Sequence, residues 1–202
     1  MRLLLVRHGQ TRSNVAMVLD TMHPGAGLDE TGLEQAQALV ERLAELPIDA
    51  IYVSDLPRTA QTATPLAVLR GLELTVLPGL REIQAGEDEM SPDWLRYVST
   101  LRAWWEGDPG AKIPGGEDAH QFLERFDAAI DQIVRAGHDH VVVVSHGAAL
   151  RVWTEHRIPG FNALVGHQGL PNTTVIVAEG HPETGWSLVS VDFPDASGSP
   201  LR

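Results

Sequence analysis

The sequence predicts an α/β fold, a three-layer αβα sandwich in which helices cover both faces of a mostly parallel sheet. Three observations carry that expectation. Leu3–Val6 and Val141–Val144 are apolar runs without polar alternation, as in strands buried on both faces. Amphipathic helical stripes lie between the strand candidates. Strands interleaved with helices imply crossover connections and parallel pairing.

The elements follow in order. Leu3–Val6 is a short buried strand. Thr31-x-x-Glu34 reads as a capping box, and Leu33, Ala36, Val40 and Leu43 form a helical stripe that Pro47 ends. Ala50–Val53 is the second strand candidate. Pro57 suits the first position of a helix reaching about Leu69, with Arg58 in its first turn. Leu72–Leu77 reads as a strand and Asp93–Trp105 as a helix. Phe122, Leu123, Phe126, Ala129, Ile130 and Ile133 make a strong amphipathic stripe. Val141–Val144 has the pattern of a central parallel strand. Ala148–Arg157 reads as a helix, and Thr174–Ala178 and Trp186–Phe193 as strands. A single domain over 1–202 is expected, with 194–202 a small, polar, flexible tail.

Composition narrows the function classes. Apolar residues make up 43% of the 202, enough for a sizeable core and against intrinsic disorder. With no cysteine, neither a disulfide framework nor a thiolate metal site can form. A net charge of -12 argues against generic binding to nucleic acid or an anionic membrane surface. The first apolar run is shorter than the ~7–15 residues of a signal-peptide core. No segment reaches the ~18 apolar residues of a membrane span, so a cytoplasmic location is expected. Fourteen of the 15 basic residues are arginine, the side chain whose planar fork matches phosphate and carboxylate.

Chemistry gathers where strands end. Leu3–Val6 runs into Arg7-His8-Gly9, and Val141–Val144 into Ser145-His146-Gly147. Ligands of open α/β sheets bind beyond the carboxyl ends of the strands, so each histidine stands where a side chain can enter that crevice. The glycines give the backbone room to turn, and a nearby helix N-terminus offers N–H groups to an anion. Arg58 follows a third strand, and with Arg7 it could fork onto one phosphate between the two histidines. Arg58 could instead pair with Asp55 on the surface, and His8 could be a satisfied strand-end histidine.

The chain resembles the histidine phosphatase superfamily, also called phosphoglycerate mutase-like. Arg7-His8-Gly9-Gln10-Thr11 with Asn14 is similar to its opening Arg-His-Gly-x-Thr-x-x-Asn motif. Gly32-x-x-Gln35-Ala36 resembles its first-helix signature, and Ser54-Asp55-Leu56-x-Arg58-Thr59-x-x-Thr62-Ala63 its second-arginine motif. Leu80-x-Glu82-x-x-x-Gly86-x-x-Glu89 is similar to the segment carrying the acid, and Pro114-Gly115-Gly116-Glu117 and Ser145-His146-Gly147 complete the order.

The resemblance implies a phosphoglycerate mutase-like fold, a phosphohistidine formed on His8, and Glu82 as the proton donor that then activates water. Positive charge for the equatorial phosphoryl oxygens would come from Arg7, Arg58 and His146. Glu82 would need a raised pKa for that work. Gly9, Gln10, Thr11, Asn14 and Gly147 are the substrate-binding candidates, Gln10 and Thr11 more through backbone than side chain. Asn14 could alternatively cap a helix, and the Gly115-Gly116-Glu117 turn could cap the Phe122 helix or touch substrate. The scheme calls for no metal or other cofactor, and the expected partner is a small phosphorylated metabolite, bound by a monomer or homodimer. The family places a substrate-facing cap at 83–120, where Trp94, Trp104 and Trp105 are core, lid or pocket-wall candidates. The remaining histidines, His138 and His140 among them, read as solvated or packing residues.

Two departures separate this chain from the mutases it resembles. Ala85 stands where they carry tyrosine three residues after the acid, and the 83–120 segment is poor in basic residues. A bisphosphate intermediate needs extra cations, whereas hydrolysis needs fewer, so a phosphatase is the favoured expectation. A cofactor-dependent mutase and a non-catalytic phospholigand-binding protein are the alternatives. A flavodoxin-like nucleotide domain would need a glycine-rich phosphate loop, of which Arg7-His8-Gly9 is a poor version.

Overall fold

The computed structural model describes residues 1–166 and 169–194. Six strands form one sheet in the order β3-β2-β4-β1-β5-β6: β1 (Arg2–Arg7), β2 (Ala50–Val53), β3 (Leu74–Val76), β4 (His140–Ser145), β5 (Val175–His181) and β6 (Gly185–Asp192). The first four in that order run parallel, β5 is antiparallel to β1, and β6 is antiparallel to β5. The helices are α1 (Arg12–Val15), α2 (Glu30–Arg42), α3 (Pro57–Arg70), α4 (Leu95–Glu106), α5 (Ala119–Arg135), α6 (Gly147–Arg157) and α7 (Phe161–Val165).

The continuous apolar strands divide their side chains between two cores. Leu3, Leu5, Val141 and Val143 face Phe122, Phe126, Leu150 and Trp153 of α5 and α6. Leu4, Val6, Val142 and Val144 face Leu39, Leu43, Ala63 and Leu66 on the α2 and α3 side. With period two and both faces covered, no polar alternation survives in β1 or β4, which is why they read as central strands. Among the described residues, no helix is long and apolar enough to cross a membrane.

Several boundaries differ from expectation. The α2 cap is Asp29, whose side chain accepts from Gly32 N at 2.8 Å, and Thr31 lies inside the helix. Leu33, assigned to the buried stripe, is 53% exposed, because Ala36, Leu39 and Val40 set the face that meets the sheet. Asp118 with Gln121 forms the capping box of α5, so the Gly115-Gly116-Glu117 turn does not cap it. The strand expected over 72–77 is paired only at Leu74–Val76, and the short α1 and α7 had no periodic signal to reveal them. The expected tail lies outside the described residues beyond Pro194, as does His167.

Candidate active site

Parallel order brings the carboxyl ends of β3, β2, β4 and β1 to one edge, and the candidate residues follow those ends. In the β1–β4 register Arg7 pairs with Ser145, and His8 N donates to Ser145 O at 3.0 Å. His8 and His146 are therefore neighbours, with ring centroids 5.2 Å apart. Arg58 occupies the first turn of α3, entered through Pro57, immediately beyond β2. Its partner is not Asp55, which is bound by Arg81. Glu82 follows β3 and a 3-10 turn at Pro78–Leu80.

Hydrogen bonds decide both tautomers. His8 Nδ1 lies 2.7 Å from Gly9 O; a carbonyl only accepts, so Nδ1 carries the proton and Nε2 keeps its lone pair. His146 Nδ1 accepts from Arg58 Nε at 3.3 Å, which puts its proton on Nε2, 2.8 Å from Ser54 Oγ. Burial, reinforced by Arg58 and Arg7, holds the His8 pKa well below the ordinary histidine value. Burial and then Arg58 do the same to His146. The cation expected of His146 is thus a neutral ring. It stands fully buried behind the cavity wall, where it holds Arg58.

The guanidinium groups supply the positive charge. Arg58 Nη2 donates to Asp20 O at 2.8 Å, and its Nη1 lies 3.7 Å from Asp20 Oδ1. Arg7 Nη1 donates to Leu170 O. Two of their buried donors, Arg7 Nε and Arg58 Nη1, have no acceptor within hydrogen-bond reach among the described residues. Orphaned guanidinium donors at a cavity floor call for an anion, since buried polar groups are ordinarily paired. Glu82 faces the same cavity, its carboxylate accepting from Ala148 N, Ala149 N and Ile83 N at 3.1, 2.7 and 2.9 Å. The first two belong to the N-terminal turn of α6, where a helix receives negative charge well.

The other candidates divide into lining and support. Thr11, Asn14 and Gly147 line the cavity with Arg7, His8 and Arg58. Asn14 both lines it and completes the α1 capping box with Thr11, so the two readings of this residue coexist. Gly9 and Gln10 do not line it. Gly9 N donates to Thr62 Oγ1 at 2.9 Å, and Gln10 N to Gln35 Oε1 at 2.8 Å. A Cβ on Gly32 would stand 2.1 Å from Gln10 O, so the first-helix signature is a docking surface for the loop that carries His8.

Arg125 and Asn172 escaped sequence reasoning, and Glu117, expected to cap a helix or touch substrate, supports the acid segment instead. Arg125 donates to the carbonyls of Gly79, Arg81 and Glu82 at 2.8, 3.0 and 2.9 Å, gripping the segment that bears the acid. Glu117 pairs with Arg125 and accepts from Gln84 N at 3.0 Å, so its turn positions Glu82's neighbours. Asn172 donates to His8 O and Asn14 Oδ1 at 2.9 and 3.2 Å. Glu89, part of the acid-segment motif, binds Thr21 and Met22 backbone N–H groups. Among the described residues, no group of three or more His, Asp or Glu is arranged to hold a metal ion.

The comparisons agree with this geometry. The histidine phosphatase superfamily (branch 1) matches residues 3–193. The chain belongs to that superfamily. It is 38% identical to the PE-PGRS family protein PE_PGRS11 of Mycobacterium tuberculosis over 93% of its own length, but it spans only 35% of that longer relative. It is 34% identical to the protein named "Probable phosphoglycerate mutase GpmB" of Proteus mirabilis, covering 74% of this chain and 71% of that one. A mycobacterial glucosyl-3-phosphoglycerate phosphatase solved with VO3 superposes with a TM-score of 0.74 at 26% identity, over 93% of this chain and 96% of the other. Other relatives and neighbours carry phosphatase or mutase names, and this chain shares their phosphoglycerate mutase-like fold.

Proposed function

We propose that this protein is a metal-independent phosphatase that hydrolyses small phosphomonoesters through a phosphohistidine on His8. The observation that carries the reading is the floor of the cavity: an unprotonated His8 Nε2 beside two buried arginine donors without acceptors among the described residues. In the first step Nε2 attacks phosphorus in line and the bond to the ester oxygen breaks. Glu82, a carboxylate in the free cavity, takes up the proton carried in by a monoanionic ester and passes it to the departing alkoxide. In the second step water attacks the phosphohistidine and passes a proton to the Glu82 carboxylate. The P–N bond breaks and orthophosphate leaves, so atoms and protons balance over the cycle. Arg7 and Arg58 neutralise the equatorial oxygens, and His146 acts by holding Arg58 Nε in place.

Hydrolysis is favoured over mutase activity by the charges beyond the floor. Arg102 and Arg151, the outer arginines of the cavity, are paired with Glu106 and Glu155 on their own helices. Among the described residues, a bisphosphate would find no surplus cation there. The 83–120 segment acts as the cap, contributing Trp94 and Trp105 to the wall.

Purified protein is expected to release phosphate from p-nitrophenyl phosphate and from members of a phosphometabolite panel, with undiminished rate in EDTA. Substitution His8→Ala should lower turnover by about a thousandfold or more. Interconversion of phosphoglycerates primed by a bisphosphate, at rates above hydrolysis, would overturn the phosphatase assignment. Undiminished turnover in His8→Ala would overturn the mechanism.

A further inference from the structure

The cavity above His8 is about 960 Å³, far larger than a phosphoryl group. Trp94 precedes α4, and Tyr97, Val98, Leu101 and Trp105 along α4 share one face at helical spacing, all five lining the cavity. Leu19, Val152 and Leu170 also line it. The polar tips of two of its rings are already spent inside the protein. Trp94 Nε1 donates to Met17 O at 2.6 Å and Tyr97 OH to Ile83 O at 2.9 Å. These two rings therefore offer carbon rather than hydrogen bonds to whatever enters. Val98 and Trp105 remain 52% and 41% exposed, a hydration cost that a ligand with an apolar body would remove. Among the described residues, the outer charges add no anion receptor: Arg102 Nε lies 2.6 Å from Glu106 Oε1, and Arg151 is held by Glu155 and, at 2.9 Å, by Asn162 Oδ1.

We propose that the site selects phosphomonoesters of bulky, uncharged, apolar alcohols, such as aryl or long-chain alkyl phosphates, with the alcohol lying against the α4 wall. The inference rests on the floor being the phosphoryl site, and it adds the other half of the substrate. It also disfavours substrates with a second anionic group, because each outer arginine is offset by a glutamate four residues on.

Non-hydrolysable alkylphosphonates separate this inference from the catalytic reading, because their binding needs no turnover. Calorimetry should find affinity rising by about 30-fold or more from ethyl- to octylphosphonate, since each fully buried methylene adds roughly fourfold. Trp105 is partly exposed, so Trp105→Ala should keep the fold. It should weaken octylphosphonate by about tenfold while leaving ethylphosphonate unchanged. In the matching kinetic arm, kcat/KM for 1-naphthyl phosphate should exceed that for 3-phosphoglycerate and for glucose 6-phosphate. Affinity independent of chain length, or a preference for 3-phosphoglycerate, would overturn the inference even if esters are hydrolysed. Chain-length-dependent binding without hydrolysis of any ester would support the apolar wall and overturn the phosphatase reading instead.

Discussion

Gly9 O takes the proton of His8 Nδ1, and Arg58 Nε occupies the lone pair of His146 Nδ1, so two hydrogen bonds and burial keep both rings neutral. This has a consequence for stability. Both folded-state pKa values lie well below 6.5, while in the unfolded chain each histidine titrates near its ordinary value. Below pH 6.5 the unfolded state binds more protons, so stability is fully present above that pH and falls as pH drops through it. The slope reaches at most about 1.4 kcal/mol per pH unit for each histidine. Thermal denaturation from pH 7.5 to 5 should show this loss, and His8→Asn should flatten it. An unchanged slope in the variant would mean that His8 is not a buried neutral base. His8, Arg58 and His146 were legible because each follows a strand within a residue or a few, where local pattern carries the message. Asn172 and Arg125 were not, since their partners lie 164 residues away for Asn172–His8 and 43 for Arg125–Glu82.

The N-terminal turn of α6 does two jobs in little space: Ala148 N and Ala149 N hold Glu82, and Gly147 lies under Arg7. A Cβ at Gly147 would stand 3.1 Å from Arg7 Nε, closer than the guanidinium tolerates without shifting. Gly147→Ala should therefore lower kcat/KM by about tenfold, because small misplacements of a charge-stabilising group are costly. Its Tm should hold or rise, since alanine is the better helix former. A fall in Tm with activity intact would reverse that assignment. Helix existence was readable at this scale, and helix ends less so. The misread start of α2 illustrates the reason: Thr31-x-x-Glu34 and Asp29 both satisfy a local capping rule. In the folded chain Asp29 takes the Gly32 N–H, and Gly32 itself packs against Gln10 O.

Across the whole molecule, a net charge of -12 surrounds a cavity whose floor holds two arginines. Bulk field and local field thus oppose each other for a phosphate dianion. Raising salt from roughly 10 to 150 mM shortens the Debye length to about 8 Å, which screens the distant repulsion more than contacts at the floor. The expected result is a rise in kcat/KM for a dianionic ester by about twofold over that range. A flat or falling profile would mean that the local arginines dominate even at long range.

The amino-acid order by itself determined the αβα class, the central place of β1 and β4, and the strand-end motifs. Each of these depends on periodicity or on neighbours a few residues apart. It also determined that any phosphate must be recruited locally, because the overall charge repels it. Only the tertiary structure decided that four parallel strand ends share one edge, that His146 is neutral and holds Arg58, and that the cavity continues from a cationic floor into an apolar wall on α4. Those facts rest on contacts between segments far apart in the chain, where the direction of a hydrogen bond or the pairing of a charge is set by packing and leaves no local pattern to read.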